Sequence, residues 1–142
     1  MSTLFSRIIQ GEVPGRFVWS DERCVAFLTI APLQPGHELV DPRDEVNEWT
    51  DADDDLVAQL MVVAKQIGVA QKAAFDAPRA GVVIAGFEVP HLHVHVFPSW
   101  GIDDFDFGHA DCDPDPTQLD AAADALRTAL RKAGHGDRVP NS

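Results

Sequence analysis

The stretch "HLHVHVFPSW", His91 to Trp100, sets three imidazoles in strict alternation with Leu92, Val94 and Val96. On a strand, residues i, i+2 and i+4 point to one face. His91, His93 and His95 therefore form a row, with neighbours roughly 6.6 to 7 Å apart along the backbone. Leu92, Val94 and Val96 turn the other way, toward a core. The opposite parity would bury three imidazoles, an expensive choice. The row is thus expected to face a cleft or water. Three uses of such a row stay open: a metal site, nucleophilic chemistry at phosphorus, or surface histidines without a task. A fourth histidine, His37, follows the Pro35-Gly36 turn and counts against the last. The remaining two, His109 and His135, lie in irregular or terminal sequence and are expected to carry no role.

Outward from the row, "AGVVIAG" (80–86) reads as a buried strand ending at a glycine. Before it, "EWTDADDDLVAQLMVVAKQIGVAQKAAF" (48–75) is the longest helix, with Leu56, Leu60, Val63, Ile67 and Ala74 on one face. Thr50 or Asp51 is the expected cap, and Asp53 to Asp55 suit the positive end of the helix dipole. Arg16–Trp19 and Cys24–Leu28 form a hairpin about Ser20-Asp21-Glu22, and His37–Asp41 a short strand. The opening residues make a short helix with Leu4, Phe5, Ile8 and Ile9 on its buried side. Asp115-Pro116 starts a last helix through Leu119, Leu126 and Leu130, stopped by Gly134, after which the tail frays. Strands grouped around one long helix with tight turns favour an antiparallel α+β domain of five strands over a parallel, doubly wound sheet.

The 142 residues suit one domain, 1–142, in which 101–142 is a less diagnostic extension. A formal charge of −12 argues against wrapping DNA or RNA, but not against a small anion in a local pocket. No apolar run is long enough to span a bilayer and no leader pattern opens the chain, so no membrane partner is expected. Two distant cysteines, Cys24 and Cys112, make no disulfide framework and suggest a reducing, cytoplasmic setting.

His-x-His-x-His with apolar x, together with Pro35-Gly36-His37 and "TLFSRIIQGEVPGRFVWSDERCVAFLTIAPLQPGHELVDPR" (3–43), resembles the histidine triad (HIT) nucleotide-binding superfamily, over roughly residues 3–100. The resemblance implies a hydrolase or transferase acting at the α-phosphate of a nucleotide such as AMP or its conjugates. His93 matches the nucleophile that forms a nucleotidyl-histidine. His95 matches the histidine contacting phosphate and leaving group. His91 matches the one orienting its neighbours, and His37 the upstream member of the network. The base pocket maps onto Leu4, Phe5, Ile8, Val13, Phe27 and Ile30, residues that on chemistry alone could equally be plain core. No cofactor or metal is implied for the chemistry, and a homodimer is expected, with Trp100 or the C-terminal segment reaching the partner's cleft.

The chain departs from the family pattern at four places. The Cys-x-x-Cys and histidine of the family's structural zinc site correspond to Thr3, Ser6 and Glu45, so no zinc is expected. The ribose-binding Asp or Asn is Thr29, whose single hydroxyl cannot make a carboxylate's two-pronged contact. The loop before the triad is shortened. The usual Gly-Gln-Ser/Thr-Val is Gly86-Phe87-Glu88-Val89, which puts a carboxylate where a hydroxyl faces the phosphate. Glu88 either pairs with a triad histidine or supplies a leaving-group proton, or it turns to solvent. The leading expectation is a phosphoramidase-like nucleotide hydrolase. The alternatives are a purine mononucleotide-binding or interaction module with little catalysis and, below it, a metal protein that lacks evident further ligands.

Overall fold

The computed structural model describes residues 2–142. Helix α1 (Leu4–Ile9) is capped by Thr3, whose side chain accepts from Ser6 N. Strands β1 (Phe17–Ser20) and β2 (Cys24–Leu28) form the expected hairpin. Asp21 shapes its turn by accepting from the backbone N–H groups of Arg23 and Cys24, both at 2.8 Å. Strand β3 (Glu38–Pro42) follows, then α2 (Asp54–Phe75), β4 (Arg79–Val83), β5 (Val94–Ser99) and α3 (Pro116–Lys132).

The strands make one sheet of order β1-β2-β3-β5-β4, and every neighbouring pair is antiparallel. The fold is α+β. Strand β5 inserts between β3 and β4, which sets the histidine segment in the middle of the sheet and not on an edge.

Side-chain parity divides the sheet into two faces. Ala26, Leu28, Val40, Val94 and Val96 pack with Leu56, Leu60, Val63 and Ile67 of α2 and with Leu119, Leu126 and Leu130 of α3. Val25, Phe27 and Leu39 pack on the other face, under Phe5 and Ile8 of α1. Leu92 joins the first cluster, so the apolar half of the alternation lies as the sequence implies.

Several expectations need correction. The segment 80–86 is not a buried strand: β4 is an edge strand, and Val82 on it is exposed. Neither Thr50 nor Asp51 caps α2. Trp49–Asp51 form a separate 3-10 turn, and Asp53 accepts from Leu56 N at 2.7 Å. On α1 only Phe5 and Ile8 are buried apolar residues, whereas Leu4 is exposed. The tail does not fray after Gly134. The His135 ring meets Trp19 in a tilted contact, centroids 5.4 Å apart, and lies 3.1 Å from Gln66 Oε1, and Val139 packs against the main core.

Candidate functional site

The histidine row is not a fully regular strand. The ladder of β5 begins at Val94, so His91 and His93 sit on the approach to it. It is also covered: His91, His93 and His95 are 0%, 3% and 8% exposed. Of the two expected settings, a cleft or water, open water is excluded, and the row is more deeply covered than either implied, because of packing on its side of the sheet. Phe5 of α1 meets His93 edge-on, with centroids 4.9 Å apart. Phe107, on a 3-10 turn after β5, meets His95 at 4.8 Å. The His93 and His95 rings lie 5.0 Å apart, closer than their backbone spacing.

Hydrogen-bond partners fix where each neutral ring holds its proton. Gly36, at φ +83° where a side chain would overlap the Phe75 ring, makes the turn that delivers His37. Leu33 N–H donates to His37 Nδ1 at 3.0 Å, so His37 carries its proton on Nε2. That proton is donated to His95 Nδ1, 2.9 Å away, which leaves the His95 proton on Nε2. A second chain runs through His91. Its Nε2 lies 2.8 Å from the Pro42 carbonyl, which only accepts, so the proton is on Nε2. Its Nδ1 then accepts from the Thr3 hydroxyl at 2.9 Å. The His91 carbonyl accepts from His93 Nδ1 at 2.7 Å. His93 Nε2 is left with a bare lone pair. Neither His93 Nε2 nor His95 Nε2 has a hydrogen-bond partner among the described residues.

Burial keeps these rings neutral. It pushes His37 down to about 3, with His95 adding to the effect, and His95 down to about 4, with His93 adding. His93 and His91 are also lowered, chiefly by burial. For His93 the hydrogen bond to the His91 carbonyl and the charge of Glu88 act in the opposite direction. Glu88 itself is exposed, follows Gly86 (φ +81°) on the shortened loop, and makes no hydrogen bond to a triad ring among the described residues. Thr29 Oγ1 is engaged locally, accepting from Ala31 N at 3.2 Å.

The predicted base-pocket residues divide. Phe5, Ile8, Val13 and Phe27 share one apolar cluster, while Leu4 and Ile30 stay exposed outside it. A cavity of about 230 Å³ opens at His93 between the 84–87 loop and the segment Asn47-Glu48-Trp49. Sequence reasoning missed Asn47, Glu48, Trp49, Phe87 and Phe107. Phe87 had a signal, a large apolar side chain in a glycine turn beside the triad. The others lie in segments without periodicity.

Thr3, Ser6, Glu45 and His91 do not suit the family's zinc. The Thr3 hydroxyl donates to the only free nitrogen of His91, Glu45 Oε1 accepts from Thr3 N at 2.8 Å, and no thiolate is present. Among the described residues no group of three or more His, Cys, Asp or Glu is placed to hold a metal.

A model of the HIT domain matches residues 10–101. The chain is a member of the HIT domain family. An uncharacterized HIT-like protein of Methanocaldococcus jannaschii is 36% identical over 103 residues, covering 68% of this chain and 78% of that one. The crystal structure of a zinc-bound histidine triad family protein from Mycobacterium smegmatis superposes with a TM-score of 0.81 at 27% identity, over 96% of this chain and 98% of that one. A HIT family hydrolase from Legionella pneumophila superposes with a TM-score of 0.59 at 32% identity, over 68% of this chain and 91% of the other. The chain thus carries the fold of HIT nucleotide-binding proteins and hydrolases. No helix of the described residues is long and apolar enough to cross a membrane.

Proposed function

We propose that this HIT protein hydrolyses nucleoside phosphoramidates or related nucleotidyl conjugates at the α-phosphorus, through a nucleotidyl-His93 intermediate. The observation that supports it is the pair of hydrogen-bond chains that leave a lone pair on His93 Nε2 and a proton on the neighbouring His95 Nε2. An imidazole lone pair is a competent nucleophile near neutral pH, and an adjacent N–H stabilises charge building on phosphoryl oxygen. In the first step a bond forms from His93 Nε2 to phosphorus. The bond to the leaving nitrogen breaks, and that nitrogen departs with the electron pair and takes a proton from solvent at the cleft mouth. Water then attacks phosphorus and releases a proton to solvent, the bond to His93 breaks, and the lone pair returns to Nε2. The net products are the nucleoside monophosphate and the free amine.

In this reading Leu4 and Ile30 hold a purine over the Phe5–Phe27 cluster, and Thr29 offers one hydroxyl toward the ribose. His91 and His37 are positioning residues: they set the tautomers of His93 and His95. Copies of the chain pair through the β4 edge and α2, where Met61, Gly68, Val69, Ala80 and Val82 line an apolar groove. The free thiols Cys24 and Cys112 suit a reducing, cytoplasmic setting.

The test is turnover of adenosine 5′-phosphoramidate by the purified protein and by His93→Ala, with and without chelator. The variant is expected to lose on the order of a thousandfold in kcat/KM, and chelator to change nothing. Activity surviving His93→Ala refutes the nucleophile, activity abolished by chelator favours a metal, and AMP binding without turnover favours a binding module.

A further inference from the structure

The cavity at His93 has a chemical character of its own. Its wall carries the Glu48 carboxylate, the Asn47 amide and two aromatic rings, Trp49 and Phe87. Phe87 is 96% exposed, the most exposed large apolar side chain described, although it adjoins a covered site. Glu88 is the next residue on the same turn, also exposed. Glu48 accepts one hydrogen bond, from Thr50 Oγ1 at 2.6 Å, and neither Glu48 nor Glu88 forms an ion pair among the described residues. None of the chain's 11 Lys and Arg side chains lines this cavity. His93, nine-tenths and more buried, lines it and has no partner for its Nε2.

Aromatic faces beside unpaired carboxylates attract an organic cation and repel an anion. A leaving group made of further phosphates would bring negative charge against Glu48 and Glu88 with no cation to offset it. A phosphoramidate brings one negative charge on the phosphoryl group and an uncharged nitrogen at the scissile bond. Resting on the nucleotidyl-transfer reading above, we propose that this cavity is a leaving-group subsite for an amine that bears a second, permanently positive group. Trp49 and Phe87 flank that group, and Glu48 and Glu88 balance its charge. Glu88, on the same turn as Phe87, is then a specificity-determining residue.

The test uses two adenosine 5′-phosphoramidates that differ only at the far end of the leaving amine. One ends in trimethylammonium, the other in its tert-butyl isostere, each on a five-carbon spacer that keeps the amine basicity alike. The wild-type protein is expected to favour the cation in kcat/KM on the order of tenfold, with the preference shrinking as salt rises. In the double variant Glu48→Gln, Glu88→Gln the ratio falls toward one, whatever happens to the absolute rates. Equal kcat/KM in the wild type, or a preference that survives the double substitution, overturns the proposal. If neither amide turns over, calorimetry on the intact amides decides: equal Kd values overturn the subsite, and a several-fold tighter cation supports it. Failure to bind either amide or AMP instead overturns the nucleotide reading itself.

Discussion

Glu38 and Asp41 lie three positions apart and so on opposite faces of β3: Glu38 sits on the side of Val40, and Asp41 on the side of Leu39. Both are fully buried, and none of their four carboxylate oxygens has a partner. Burial raises both well above the ordinary carboxylate range, with Arg127 pulling Glu38 in the opposite direction. The folded chain therefore binds more protons here than the unfolded chain does. Stability is fullest in acid, below the unfolded values, and is lost as pH rises from about 4 through the raised folded values. Glu38→Gln and Asp41→Asn are expected to raise Tm at pH ~8 more than at pH ~5. Thermal melts of both variants across that range check this, and an equal change at both pH values contradicts it. Neither burial was legible in the sequence, where "HELVDP" reads as an ordinary alternating strand. A carboxylate at such a position looks solvated until both faces of the sheet are known to be covered.

At the scale of elements, α1 has only six residues, and its place depends on polar ties as much as on Phe5 and Ile8. Thr3 is the cap of that helix and also the donor that fixes the His91 tautomer. Thr3→Val removes both bonds and is expected to cost about 1–2 kcal/mol, read as a lower denaturant midpoint, with Thr3→Ser restoring most of it. The helix was readable because its apolar residues recur at i and i+3. Leu4 was misplaced because a two-turn helix offers too little periodicity to tell its edge from its centre. The start of α2 was displaced for a different reason: "TDADDD" presents several side chains able to cap, and only the Trp49–Asp51 turn selects Asp53. The row His91–His95 was correct in parity, since Leu92 and Val94 fix it, and wrong in exposure. Its cover comes from Phe5 and Phe107, which lie more than eighty residues earlier and a dozen later in the chain, and strand periodicity carries no such information.

For the molecule as a whole, the antiparallel α+β class followed from the order of elements and the tight turns. What no local pattern shows is that β4, apolar in sequence, is an edge. Its Val82 is exposed beside Met61 and Val69 of α2. An uncovered edge with apolar neighbours invites pairing. Val82→Asp is expected to halve the mass seen by light scattering while leaving the circular dichroism spectrum intact; an unchanged mass removes that face as the dimer contact. The histidine network was legible as a list of four residues, through Pro-Gly-His and the alternation. Its proton assignments were not, because they depend on the Leu33 amide, the Pro42 carbonyl and the Thr3 hydroxyl, partners that only the folded chain selects.

Strand β5 joins the sheet between two strands that precede it in the chain, with Leu39 set opposite His95 and Val83 opposite it on the other side. During synthesis β3 and β4 leave the ribosome first and must wait, their inner edges unsatisfied, until the last strand arrives to fill the gap. His37 has no partner for its Nε2 until that moment. The order of translation therefore makes closure of the sheet and assembly of the histidine network a single late event: a chain that stops short of β5 cannot set His95 against His37.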